Sequence, residues 1–425
     1  MRDIRAAITL SILLLLLDVP GLMVWKDPAA HAPVNVLRRP VASQSAAGDI
    51  RRRQTGDGVW QIELLSAVQT VDRTYKSMQG PLDRRILPIL ADQPDQAIWV
   101  TACRVQMVAE DGVTPISDRF TCHTNVDRRP RQGADVVGLN QRDDRMFTLS
   151  QGQMAVEFPP GFGIPLAADT ELEIVMQVLN LTPLPTPIRI RHRVRLTVVE
   201  DRKGTASMVP LYQQGLSALK PIDSRMADRQ SMRTAHRTAS SSAGRTAKPG
   251  SAPIDTGELC LPGRMVSIMD QEFDRRGRRV TGHWVLPPGR ETLRSPVTQM
   301  LDLQSDTTVH FIAVHLHPFA KSLELFDVTA GRRVFISHAH QRSKFPGLSS
   351  VETLSSIEGL RLYADHEYVL NSAYDNTSGV DQDAMAVLYL YLREPDEHVV
   401  PSDGLFPDLP WDADGEPRRT VARSN

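Results

Sequence analysis

A chain of 425 residues is too long for one ordinary hydrophobic core, so length alone gives an expectation of two domains. Its 49 basic residues are balanced by 50 acidic ones, which excludes the global electrostatic pull that nucleic-acid binding relies on. Helical periodicity is scarce, whereas Val, Ile and Thr recur among 30 prolines and 26 glycines, and the economical reading is an all-β chain of short strands and turns.

The chain opens with an address rather than a fold. Arg2 and Arg5 precede an apolar run at 6–17 that has the length of a signal-peptide core and is short for a membrane span. Asp18 and Pro20 interrupt the run, and Ala30-His31-Ala32 has the small-x-small form of a cleavage site. If the apolar character continues through 22–25, the same segment is an uncleaved anchor. The expectation is export, with 1–32 as a signal peptide or N-terminal membrane tether. Its destination is periplasmic, extracellular or membrane-anchored facing outside. Residues 33–58 are polar and Arg-rich and read as a disordered tether.

A first domain is expected over 59–220, with strand candidates at 97–108, 154–158, 172–179 and 188–199. The last alternates apolar with basic residues, so its Arg row is read as the wet side of a half-buried strand. Cys103 and Cys122 lie on or beside neighbouring candidates and would form a disulfide in an oxidising compartment, leaving Cys260 free. From 221 to 257 Ser, Ala, Arg and Thr dominate with almost nothing large to bury, which reads as a disordered linker.

A second domain is expected over 258–395, with candidates at 265–269, 279–286, 298–303, 308–317, 322–326, 333–336, 367–371 and 385–392. Such closely spaced strands, with a turn such as Pro287-Pro288-Gly289, fit a two-sheet sandwich or jelly roll. The acidic, Pro-rich tail at 396–425 is expected to be mobile.

Within this half, His315 and His317 share one face of a strand closed by Pro318, and His310 has the opposite parity. Met385 stands where an acidic turn, Asp381-Gln382-Asp383, enters an apolar and aromatic strand. Two imidazoles and a thioether select copper, Cu(I) above all, because the thioether binds hard cations poorly. The plain alternative is two packed histidines and a core methionine. His283 and the pair His338 and His340 are candidates for a further ligand, or surface residues. Asp383 and Glu367 are candidates to orient an imidazole through its other nitrogen.

The His315-Leu316-His317 strand, followed by Asn376-Thr377-Ser378-Gly379-Val380-Asp381-Gln382-Asp383-Ala384-Met385 and Leu388-Tyr389-Leu390-Tyr391, resembles the second half of the copper type II, ascorbate-dependent monooxygenases. The resemblance implies two tandem antiparallel jelly-roll β-sandwich domains and a copper held by His315, His317 and Met385. It implies oxygen-dependent hydroxylation of a small organic or peptide substrate, with ascorbate or another electron donor as reductant. In the first half it is looser: Gly161-Phe162-Gly163-Ile164-Pro165-Leu166 and the strand after it lead to Leu179, where the family has a histidine for a second copper. Cys122-His123 stands where the family has an adjacent His pair, and the family's usual run of disulfides is absent.

The runner-up is a non-catalytic copper-binding module for storage, sensing or delivery, and a third reading is a metal-free interaction protein. No Gly-x-Ser-x-Gly elbow, His-Glu-x-x-His, phosphate-cradling loop or Rossmann fingerprint occurs. Sequons at Asn180 and Asn376 matter only in a glycosylating cell.

Overall fold

The Ile188–Glu200 strand sets the pattern for the first half. Ile190, Val194, Leu196 and Val198 on one face are at most 1% exposed, while Arg191, Arg193 and Arg195 on the other are half-buried. The Arg face is not left to water alone: Arg195 bonds Glu63 at 2.7 Å and Arg193 reaches Gln106 at 3.2 Å.

A computed structural model describes residues 50–90, 92–93, 96–129, 144–202, 208–221, 272–273 and 279–394. The apolar run at 6–17, Cys260, the candidate at 265–269 and the tail lie outside these residues. Among the described residues no helix is long and apolar enough to cross a membrane.

The chain is all-β, as the composition indicates. One hydrogen-bonded path runs through Ile50–Gly56, Val59–Leu65, Ile188–Glu200, Ala97–Ala109, Phe162–Ala167, Val209–Ser217, Ala386–Arg393, Thr307–Leu316 and Leu354–Leu362. A second sheet, ordered Leu82–Pro88, Glu171–Val178, Thr121–Arg128 and Arg145–Ser150, closes the first half. A third, ordered Gly289–Pro296, Tyr368–Asn376, Ala320–Asp327, Arg332–Gln341 and Leu348–Val351, closes the second. Pairing is antiparallel throughout these sheets except between Val209–Ser217 and Phe162–Ala167.

The long path joins the halves. Val209–Ser217, expected in the first domain, pairs along its length with Ala386–Arg393 of the second. The latter strand is apolar at nearly every position because both its faces are buried, as in the strands of covered sheets. Val387, Tyr389 and Tyr391 enter the first-half core, and Leu388, Leu390 and Leu392 enter the second-half core. All described residues belong to one compact unit, Ser45–Asn425.

Several local expectations change. Ile50–Gly56 is a strand within the stretch read as a tether. The single strand expected at 279–286 is two, Arg279–Thr281 and Trp284–Leu286, parted at Gly282-His283. Thr298–Leu301 is one helical turn closed by Asp302 in the left-handed region at φ 41°, not a strand.

The expected Cys103–Cys122 disulfide is absent: both cysteines are free and buried. They lie in different sheets, Cys103 on Ala97–Ala109 and Cys122 on Thr121–Arg128. Burial pushes both thiols up, so neither is a thiolate at neutral pH. Alkylation by iodoacetamide is therefore expected to miss both in the native protein and to reach both in denaturant; rapid native labelling of Cys103 would contradict this placement.

Candidate metal centre

Strand pairing brings the backbones of the expected ligands side by side, with the Met385 side chain fully buried in the first-half core. Thr307–Leu316 runs antiparallel to Ala386–Arg393 with His315 opposite Val387 and Leu316 opposite Ala386. One step further, the His317 backbone N–H donates to the Met385 carbonyl at 3.2 Å, so His317 and Met385 are cross-strand neighbours. Tyr374 Oη donates to the same carbonyl at 2.6 Å and fixes this irregular step between Gln382–Ala384 and Ala386–Arg393.

Three imidazoles neighbour one another through His317: its ring centroid is 5.3 Å from that of His315 and 5.3 Å from that of His283, both pairs edge to face. His317 Nδ1 donates to the main-chain carbonyl of Asp383 at 3.3 Å, which leaves Nε2 as the lone-pair nitrogen that a metal takes. Asp383 thus holds the remaining ring nitrogen of His317 through its main-chain carbonyl, and its carboxylate charge also acts on that ring. His315 is 3% exposed, and neither of its ring nitrogens has a hydrogen-bond partner. Two buried, unsatisfied nitrogens on one ring are a costly arrangement to keep without purpose.

Electrostatics keep these rings neutral. Burial, then the charges of His123, His283 and Arg145, push His315 down to about 3. Burial and the adjacent His283 and His315 hold His317 well below the usual histidine range. At neutral pH both rings are therefore unprotonated, the form that ligates.

The opposite wall comes from the first half. Cys122 and Leu179 line the same narrow cavity, of about 30 Å³, as His315 and His317. That volume holds a water or two, or an ion with a small ligand. His123 is 1% exposed and also pushed down to about 3, first by burial and then by Arg145, His192 and His317.

Arg145, which sequence reading missed, is 7% exposed and ion-paired with Asp127 across the Thr121–Arg128 and Arg145–Ser150 ladder. Its charge acts on both His123 and His315. The only sequence signal was an Arg amid apolar strand residues, which resembles many surface arginines.

Other candidates lie apart. His310 bonds the Ser356 carbonyl at 3.1 Å and stacks on Phe162. Glu367 is exposed, with its backbone bonded to the Val328–Thr329 turn. His338 and His340 sit exposed on Arg332–Gln341. Among the described residues no three His, Cys, Asp or Glu side chains are grouped closely enough to hold an ion by themselves. The expected set depends on a thioether as third donor.

No protein-family model matches the chain, and no curated protein matches it. Among solved structures it is similar to the cowpea mosaic virus top component, naturally occurring empty particles, at 10% identity and TM-score 0.31, over 78% of this chain and 88% of that one. It is also similar to a peptide-N(4)-(N-acetyl-β-D-glucosaminyl)asparagine amidase at 8% identity and TM-score 0.28, over 79% and 97%. A third is the STIV MCP, at 9% identity and TM-score 0.25, over 78% and 97%. Likeness at these scores carries no functional reading.

Proposed function

We propose that this chain is a copper protein of the ascorbate-dependent monooxygenase type, with one ion held by His315, His317 and Met385. The observation that carries the reading is the His315 ring, buried with both nitrogens unsatisfied beside a His317 whose Nδ1 is already occupied. Copper bound there supplies one-electron redox chemistry and, given dioxygen and a reductant such as ascorbate, hydroxylation of a small organic or peptide substrate. The protein's own part is to hold two neutral imidazoles against a thioether, to fix His317 through the Asp383 carbonyl, and to exclude bulk water.

One ion fits better than two. Leu179 offers no ligand, and the Arg145 guanidinium opposes a second cation at His123. The same observations favour the alternative reading, a non-catalytic module that stores, senses or delivers copper, because the family's reaction takes an electron from each of two coppers. Export rests on the apolar run at 6–17.

Copper stoichiometry and Cu(I) affinity of wild type, His315→Leu and Met385→Ala test the proposal. One Cu(I) per chain is expected in wild type and none in His315→Leu, Cu(I) being the state that the thioether selects. Met385→Ala is expected to weaken Cu(I) more than Cu(II), since the soft donor is what it loses. His315→Leu removes an unsatisfied buried polar group, so the metal-free variant is expected to equal wild type in stability or gain about 1–3 kcal/mol. Lost copper in a stable variant then separates ligation from misfolding. Binding indifferent to both substitutions would sink the reading. Oxygen uptake with ascorbate separates enzyme from binder.

A further inference from the structure

The hairpin of Arg332–Gln341 and Leu348–Val351 carries a histidine pair that the copper reading does not use. Along the first strand Ser337 is buried and Ala339 half-buried, while His338 and His340 are exposed, so both imidazoles project from one face. At positions i and i+2 of one strand face, two imidazoles are neighbours that an ion can draw together from solvent.

Glu352 is built around His338. Its backbone N–H donates to the His338 carbonyl at 3.1 Å, and its Oε2 accepts from the His338 backbone N–H at 3.2 Å and from Nδ1 at 2.7 Å. In the neutral ring, with Nδ1 donating to a carboxylate, Nε2 carries the lone pair, as in a metal-ligating histidine oriented by a carboxylate. Burial pushes the Glu352 carboxyl up, but the His338 hydrogen bonds and the charges of His338 and His340 outweigh it and hold the carboxyl below its usual range. An anionic group thus bonds the His338 ring and lies within electrostatic range of His340. The His338 and Glu352 side chains are 54% and 43% exposed, so an ion has free access.

We infer that His338 and His340 form a surface site for a divalent transition-metal ion of the zinc class, with Glu352 as the positioning residue and water completing the coordination. Two imidazoles without a thioether suit borderline divalent ions, not Cu(I), so this site is chemically distinct from the one at Met385. The inference does not rest on the copper reading.

Calorimetric titration of the full chain with zinc chloride tests it, using wild type, H338A, H340A, E352Q and H315L. Zinc binding is expected in wild type and to be retained in H315L. It is expected to be lost in H338A and in H340A, and to weaken about 10- to 100-fold in E352Q, the usual loss when an orienting partner is removed. His338 and His340 are exposed and Glu352 is half-buried, and an unchanged circular dichroism spectrum verifies the fold. Absence of zinc binding, binding unchanged in H338A or H340A, or binding abolished in H315L would overturn the site. Unchanged affinity in E352Q would overturn the role of Glu352.

Discussion

The metal-free protein is expected to lose stability steeply below pH 6.5 and to unfold near pH 4.5. His123 and His315 are pushed down to about 3 and His192 to about 4, in each case first by burial. An unfolded histidine titrates near 6.5, so below that pH the unfolded chain takes up protons that the folded chain refuses. The stability of the folded state is therefore full above 6.5 and falls as pH drops toward the folded values. Each group subtracts about 1.4 kcal/mol per pH unit, so the three together remove about 8 kcal/mol at pH 4.5, comparable to the ~5–15 kcal/mol of a typical domain. His317, lowered in the same direction, adds to the loss. Urea midpoints between pH 7.5 and 4.5 measure the slope, which is expected to correspond to three or more protons. His192→Gln, away from the candidate copper ligands, is expected to remove about one of them. A midpoint that stays flat from pH 7 to 5 would contradict the buried, neutral state of these rings.

That cluster was legible in the sequence only in part. Strand parity put His315 and His317 on one face, and the chemistry of the donors picked out Met385. The placement of Met385 opposite His317 is a matter of register between strands distant in sequence, which parity does not fix. Arg145 and His192 acquire their influence solely through burial between sheets. The same limit explains the missed strands: Gly289–Pro296, Leu348–Val351 and Leu354–Leu362 are largely polar and exposed, and take their strand geometry from apolar neighbours. Conversely, the unbroken apolar run at 386–392 was the clearest strand in the chain. In the structure its alternate residues enter two different cores, an assignment that apolar continuity alone does not make.

Tyr391 is where that arrangement can be tested. Its ring is fully buried, 4.8 Å from Phe158, 5.8 Å from Phe311 and 6.1 Å from Phe147, so with Phe311 it ties second-half strands to first-half aromatic rings. Its hydroxyl donates to the Met146 carbonyl at 2.9 Å, which satisfies a polar tip inside that core. Tyr391→Ala is expected to destabilise the protein by about 3–5 kcal/mol through lost burial and a residual cavity. Tyr391→Phe keeps the packing and leaves the Met146 carbonyl short of a partner, for about 1–3 kcal/mol. Because the aromatic cluster draws on both halves, the loss is expected to fall on both at once. Hydrogen exchange in graded denaturant reads this directly, through amides of Ala97–Ala109 in one half and Tyr368–Asn376 in the other. In Tyr391→Ala both sets are expected to lose protection at the same, lower denaturant concentration. If only one half loosened while the other kept its wild-type protection, the shared core would not couple them, and independently folding sandwiches would be the better description.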